Sequence, residues 1–592
     1  MSIYSKVPVS VPRKSLFDLS YSKVGTGEIG RCYPVLCEEV VSGDVWKVST
    51  DVVVKLMPLV RPLMTDLSVQ LNHFFVPYRL LDDKFEDIFT GGEDGSANFN
   101  ALPKISPKYY KHNVANSTPY STSNYSDNVA YSASSPGAFG LHGLWDCLGF
   151  PTVTSSNSTG ASWLTTSYDS NNDKTVENTF YTSPIAYPIM AYYTIFNEWY
   201  RDENNDDYKY EYELKDYSGG FRFLEDVQRV EPDGSSMTNG YTQLPLFSIR
   251  WSKDYFTSAL PFAQRGTAPA LPISGMLPVG LADNYTLMDN SWIDMGSNEV
   301  TVPTNLTTEM QYANDTFSKL NLCGGPATQE IGVNNAVVAD LSSAVTFDIN
   351  DLRLAFSIQK WQERNAISGG RFHEVLLSHF GTAPADDTLD RPLYLGGSYQ
   401  DLIISSVVQT SESGTTVQGN ETGRGISASK NYGFKYHVKE PGIVMTLMCV
   451  KPKAQYSSQG FNRQWLKNNR YDFFFPEFSN IGEQEVLNME LFANGTVADD
   501  TGIFGFQGRY DELRSKQNMQ VGLMRGDSDY NTWSASRCFS SLPTLSSAFL
   551  EVPSTFCDNN KAVTSEPLFQ FEVHNNIKAL RPLPKYPTPG GL

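Results

Sequence analysis

The chain has 592 residues, a net charge of −19 and only 19% charged side chains, against 40% hydrophobic ones. So acidic a chain cannot coat nucleic acid along its whole surface, because phosphate binding relies on Lys and Arg. Its 32 Tyr, 34 Phe, 44 Gly and 33 Pro argue for strands broken by turns, and against a helical bundle. The cysteines (Cys32, Cys37, Cys147, Cys323, Cys449, Cys538 and Cys557) are odd in number and contain no C-x-x-C pair, which fits free thiols. The first twenty residues hold no apolar run of a secretory signal, and no stretch reaches the length of a membrane-spanning helix.

Residues 1–20 read as an extended, Pro-containing tail whose cations, Lys6, Arg13 and Lys14, precede the first acid, Asp18. Gly25, Gly27 and Gly30 then reproduce the G-x-G-x-x-G spacing of a dinucleotide site. That site needs a helix after the third glycine. Pro34 breaks one and no apolar stripe follows, so the segment reads as a turn in which Gly30 serves backbone shape. Residues 45–81 are strand-like, with Leu67, Val69 and Leu71 alternating. Residues 91–180, rich in Ser, Asn, Tyr and Gly, are too long for a plain loop and read as a surface excursion.

The apolar spacing of Ile189, Tyr192, Tyr193, Phe196 and Tyr200 predicts a helix over 189–200. After it, Asp202, Asn204, Asp206 and Glu213 sit at calcium-loop positions, but Asp207 stands where that loop needs glycine, so a solvated acidic loop is expected. Residues 266–345 form a second polar excursion. Two helices follow: one capped by Asn350, the other over 372–380 with Phe372, Val375, Leu376, His379 and Phe380 on one face, ending at Gly381. His373, Glu374 and His379 lack the i, i+4 histidine spacing of a helical zinc site, and His379 reads as a core histidine. Asp386, Asp387 and Asp390 could serve as an acid–base pair, but loop acids are ordinarily solvated. From 400 to 580 the pattern returns to strands, and residues 575–592 carry Lys578, Arg581 and Lys585 after the last acid, Glu572, as a second extended basic tail. Strands bracketing a few short helices and two long insertions predict one mainly β domain over 1–592, a sandwich or barrel.

Five ordered blocks sharpen this. Phe74 to Leu80 reads F-F-V-P-x-R-L, Asn197 to Asn204 reads NEWYRDEN, and Asp254 to Gly266 reads DYFTSALPFAQRG. Asn350 to Gln359, Gly369-Gly370, Ser378 to Gly381 and Arg391 to Gly397 form a further run, and the chain closes on IKALRPLPKYPTPGGL. Together these resemble the major capsid protein of the gokushoviruses, single-stranded-DNA bacteriophages of the microvirus family. Leu393, where members often carry Glu, and Arg371-Phe372-His373, in place of T-R-Y, depart from the pattern.

The resemblance implies a single eight-stranded jelly roll with long inserted loops and no enzymatic role, cofactor or metal. It implies sixty copies in a T=1 icosahedral shell around circular single-stranded DNA, assembled in the bacterial host cytoplasm and residing in the virion. The implied partners are further copies of the chain, the viral DNA, a small basic DNA-binding protein, a minor pilot protein and a host surface receptor. Residues 267–345 are the candidate surface protrusion and 91–180 the second outer loop. Lys6, Arg13, Lys14, Lys578, Arg581 and Lys585 are the candidate interior contacts with DNA or with neighbouring subunits. The competing reading of the aromatic loops and acidic pairs is a carbohydrate-binding or glycosidase-type β-sandwich.

Overall fold

A computed structural model describes residues 14–90 except 83, 143–150, 185–206, 246–267, 269, 349–369, and 371–586 except 384, 387–388, 413, 415–417 and 565, together with short strands between 103 and 339. The chain divides into two compact units, one made of residues 1–263 and 365–592, the other of 264–364.

The larger unit is built on β1 (Ser15–Asp18), β2 (Tyr21–Gly27), β3 (Cys32–Val40), β4 (Val45–Leu56), β5 (Leu67–Pro77), β6 (Leu393–Val408), β7 (Glu421–His437) and β8 (Gly442–Pro452). A separate hairpin, β9 (Glu483–Leu487) with β10 (Ile503–Gly508), precedes the last strand, β11 (Phe569–Arg581). β1 and β2 lie end to end along β11, β1 opposite 578–581 and β2 opposite 569–575. Nine strands therefore occupy eight antiparallel rows.

Numbered by row along the chain, one layer reads 1-8-3-6 (β1/β2, β11, β4, β7) and the other 2-7-4-5 (β3, β8, β5, β6). This interleaving of two four-stranded layers is the double Greek key of a jelly roll. The expected eight-stranded architecture is present, with its first row split in two by the Leu19–Ser20 break. The layers are continuous through β6, whose Leu393–Leu402 portion pairs with β5 and whose Ile403–Val408 portion pairs with β7.

The period-two pattern of the sequence dictates what each strand buries. In β11 Phe569, Phe571, Val573, Ile577 and Ala579 point inward, while Gln570, Glu572, His574, Asn576 and Lys578 are exposed. In β4 Trp46, Val48, Val52, Val54 and Leu56 are buried. At one end of the sandwich Trp46, Val48, Phe75, Phe434, Val444, Ile577 and Ala579 share one apolar cluster. β8 differs: it is buried at every position from Gly442 to Val450. Its outward side is covered by α1 (Tyr187–Ile195) and the π-helical turn Phe196–Tyr200 that continues it. The Tyr192 hydroxyl donates to the Cys32 carbonyl (2.9 Å) and accepts from the Phe247 N–H (3.0 Å). Trp199 and Tyr200 pack on Phe74, with ring centres 5.7 and 6.2 Å apart. The helix expected over 189–200 thus exists, with its last turn widened.

Two long insertions interrupt the sheet, between β5 and β6 (78–392) and between β8 and β11 (453–568); both polar excursions expected over 91–180 and 266–345 fall in the first, while the second lies where the sequence read as strands and is mostly short turns and one hairpin. Arg537 joins residues of both. It donates to the Phe549 carbonyl (2.6 Å) and the Tyr456 hydroxyl (3.1 Å), and its guanidinium lies 5.1 Å from the Trp251 ring. Within 91–180, Tyr109–Lys111, Leu164–Tyr168 and Lys174–Asn178 form a three-stranded ladder. In the smaller unit, three two-stranded antiparallel ladders fall within 267–345.

α2 (Ile349–Ser368) and α3 (Phe372–Phe380) match the two later helices, except that Asn350, read as the cap, is the second residue of α2; Gly381 closes α3 in the left-handed conformation (φ +67°). The apolar face expected to enter the core does not. Phe372 and Phe380 are 68% and 72% exposed, and no residue of α3 is buried. His379 is satisfied, with its Nε2 2.8 Å from Asn365 Oδ1, but it is half-buried and not in the core.

Candidate nucleic-acid interface

Each motif that could have carried other chemistry is used by the fold. At Gly25 and Gly27 a Cβ would lie 2.5 Å from the Phe571 ring and 2.7 Å from the Phe569 ring; at Gly30, with φ +75°, it would lie 2.6 Å from the Val552 carbonyl. The first two glycines let β2 lie flat on two aromatic rings, so they are as constrained as Gly30. The acidic loop after α1 is not solvated as expected. The Asp206 carboxylate is buried in an ion pair with Arg250, and Asp202 pairs with Lys253 at 3.0 Å. Burial pushes the Asp202 carboxyl up, but Lys253 and the Asn204 N–H outweigh it and hold the group below its ordinary value. Asp207 to Glu213, the rest of the calcium-like run, lie outside the described residues.

Asp386 pairs with Arg391 (3.2 Å) and Asp390 with Arg79 (2.5 Å), so these two loop acids are neutralised within the chain, while Asp387 lies outside the described residues. A cavity of about 230 Å³ is lined by Phe256, Tyr456, Phe461, Arg463, Trp465 and Glu490. Its one carboxylate, Glu490, already accepts from Arg463 (2.9 Å), Tyr255 (2.9 Å) and the Leu487 N–H (2.9 Å). Sugar hydrolysis needs two carboxylates facing a shared space, which this lining does not supply. Burial pushes the Cys37, Cys147 and Cys557 thiols up to about 12, far from nucleophilic thiolates.

Among the described candidates, Lys14, Lys578 and Arg581 lie at one end of the 1-8-3-6 layer. Lys6 and Arg13 lie outside the described residues. Lys14 donates to the Gly43 carbonyl (2.6 Å) in the turn between β3 and β4. Arg581 is anchored by Asp44 (3.0 Å), by the Glu39 carbonyl (2.8 Å) and by the Trp46 ring, 5.3 Å away. Asp44 is fully buried and also accepts from Trp46 Nε1 (3.0 Å), so Arg581 locks the edge of the sandwich. Lys585 lies in the segment after β11, beside Tyr586.

Lys578 is not in a free tail. It sits on the outer face of β11, between Asp18 of β1 and Lys47 of β4. Lys47 in turn stands opposite Lys435 of β7. The strand 569–581 shows the same in/out alternation as β4, a signal that could have moved residues 575–581 from the tail into the sheet. Lys47 and Lys435 are the basic residues that sequence reading missed. Each lies at an outward position of an alternating strand, but only strand pairing sets them in one row with Lys578.

A two-layer jelly roll of 1-8-3-6 and 2-7-4-5 order defines the chain as a capsid-type β protein. Comparison with known proteins makes this specific: residues 5–138 and 151–591 match the family described as capsid protein (F protein), and the chain belongs to it. It is 29% identical to capsid protein VP1 of Chlamydia phage 1 across 99% of this chain and 97% of that one. It is 27% identical to VP1 of Bdellovibrio phage phiMH2K (93% and 90% covered) and 31% identical to VP1 of Spiroplasma virus 4 (68% and 72%). The chain is therefore a phage major capsid protein of the gokushovirus kind, a structural component of the virion that works as a homo-oligomeric shell. Among the described residues no helix is long and apolar enough to cross a membrane.

Proposed function

We propose that sixty copies of this chain close into a T=1 icosahedral shell around a circular single-stranded DNA genome, assembling in the host cytoplasm. The observation that carries this reading is the jelly-roll strand order within a chain that matches the capsid family from residue 5 to 591. A net charge of −19 leaves the shell unable to neutralise a genome alone. A small basic DNA-binding protein completes that task, and a minor pilot protein accompanies the genome. Residues 267–345 form the protrusion that meets a host surface receptor, with 91–180 as a second outer loop. Lys6, Arg13, Lys14, Lys578, Arg581 and Lys585 contribute interior contacts with DNA or neighbouring subunits.

Imaging of the purified protein tests the shell directly. Uniform closed particles of sixty subunits with nuclease-protected single-stranded DNA are expected. A stable monomer of 66.0 kDa under assembly conditions would sink the reading.

A further inference from the structure

Register places Lys435, Lys47 and Lys578 side by side on three adjacent strands, β7, β4 and β11. All three side chains are on the exposed face of the layer. Like charges directly opposed across strands destabilise a sheet. Among the described residues none of the three makes an ion pair; the acid beside the row is Asp18, opposite Lys578. The Asp18 carboxylate is engaged by the Ser20 hydroxyl (2.5 Å) and N–H (3.1 Å), which hold it below its ordinary value. A row of cations in a chain of net charge −19 is thus maintained against both local repulsion and the overall composition.

We propose that this lysine rung is a binding track for a single-stranded phosphodiester backbone, an inference that rests on the capsid reading above and adds Lys47 and Lys435 to it. Two arguments select that ligand. Strands lie about 4.8 Å apart, so the outer two lysine positions are about 10 Å apart. Three point charges in a line match a chain of phosphates, which presents charge after charge along that span. Flexible lysine stems carrying point charges can follow such a chain without fixed register. The rung's own composition argues against a protein partner, because lysine is depleted in the cores of protein–protein interfaces. Along the strands it is flanked by Ser49, Asn576 and Gly433 on one side and by Val45, Leu580 and His437 on the other. Arg581, by contrast, is held by Asp44 and Trp46 and is not part of the rung.

The test uses the purified full-length protein and a fluorescein-labelled single-stranded oligonucleotide of mixed sequence, with affinity measured by anisotropy across a salt series. Each phosphate contact with single-stranded DNA contributes about 0.7 to the slope of log affinity against log salt. Replacing all three lysines, K47Q with K435Q and K578Q, is expected to flatten that slope by about 2, and each single change by about 0.7. The arginine triple (K47R, K435R, K578R) is expected to keep the wild-type slope. The glutamine substitutions relieve repulsion on an exposed face, so thermal melting is expected to show folding retained. An unchanged slope in the folded glutamine triple overturns the proposal. An unchanged slope with lost particle assembly also overturns it and reassigns the rung to an acidic surface of a second copy. Particle imaging of the unaltered protein keeps the two readings apart: absent particles refute the shell, whereas intact particles with an unchanged slope refute only the rung.

Discussion

The two layers of the sandwich are built from strands of similar length and the same antiparallel pairing, yet they bury different amounts of themselves. β11 alternates strictly, with Phe571, Val573 and Ile577 inside and Glu572, His574 and Lys578 outside. β8 buries Val444 and Met445 alike, although they point to opposite faces. The difference comes from the insertion between β5 and β6, which returns α1 and the 246–256 segment over the outer face of the 2-7-4-5 layer, while the outer face of the other layer stays open. A strand covered on both sides reads as a continuous apolar run, and one covered on a single side reads as alternation. The open layer is therefore where a polar ligand can be met, and the covered layer is where stability is concentrated.

The largest test of this contrast is a parity scan. V444E and M445E are each expected to abolish the soluble folded protein, at a cost above about 4 kcal/mol, because each buries an unpaired charge. On β11 only one parity should matter: V573E as damaging as V444E, and Q570E within about 0.5 kcal/mol of wild type in urea unfolding. Equal tolerance of V444E and Q570E would break the comparison.

Between the layers, His73 of β5 is 2% exposed, lies 2.8 Å from the Thr446 hydroxyl and packs on Phe434. Burial lowers its pKa to about 4. The unfolded chain takes up a proton on this residue as pH falls below about 6.5, while the folded chain resists down to about 4. The neutral ring's contribution is thus complete above about pH 6.5 and is lost progressively below it, by on the order of 3 kcal/mol at most. The difference in urea midpoint between wild type and H73N should therefore shrink from pH 8 to pH 4.5; a constant difference contradicts the assignment.

A smaller effect separates the cover from the layer it covers. Y192F removes the hydroxyl that links the Cys32 carbonyl to the Phe247 N–H, and a loss of about 1–3 kcal/mol is expected in chemical denaturation. The smallest effect is a gain. K47Q relieves repulsion from Lys435 and Lys578 and should stabilise the folded protein by about 0.5 kcal/mol at low salt, less as salt screens the row. A loss of stability on this change would show that the lysines are not in mutual repulsion.

Much of this was legible in the residue string. The alternation of Leu67, Val69 and Leu71, the helical spacing from Ile189 to Tyr200, and the Gly381 stop after Phe380 all report local backbone geometry, and each marks the element that forms. The ordered blocks from Phe74 to the closing IKALRPLPKYPTPGGL pointed to the capsid family. The failures are equally local in origin. Lys578 and Arg581 looked like tail residues because charge was weighed before alternation. Asp206 looked solvated because its partner, Arg250, is distant in sequence. The apolar stripe of α3 looked like core because a helix's periodicity says which residues share a face and not what lies opposite it.

Composition, periodicity and punctuation were thus enough to set the mainly β class, the helices after 187 and 349, the long insertion after β5 and the acidic balance of the chain, since all of these depend on neighbours along the chain. Pairing between strands hundreds of residues apart decided the rest. It split the first row between β1 and β2, seated Gly25 and Gly27 against Phe571 and Phe569, tied Arg581 to Asp44, and aligned Lys435, Lys47 and Lys578. The physical reason is register: within a strand each residue has only two faces to choose from, but which residue stands beside it on the next strand is set by how the whole sheet closes.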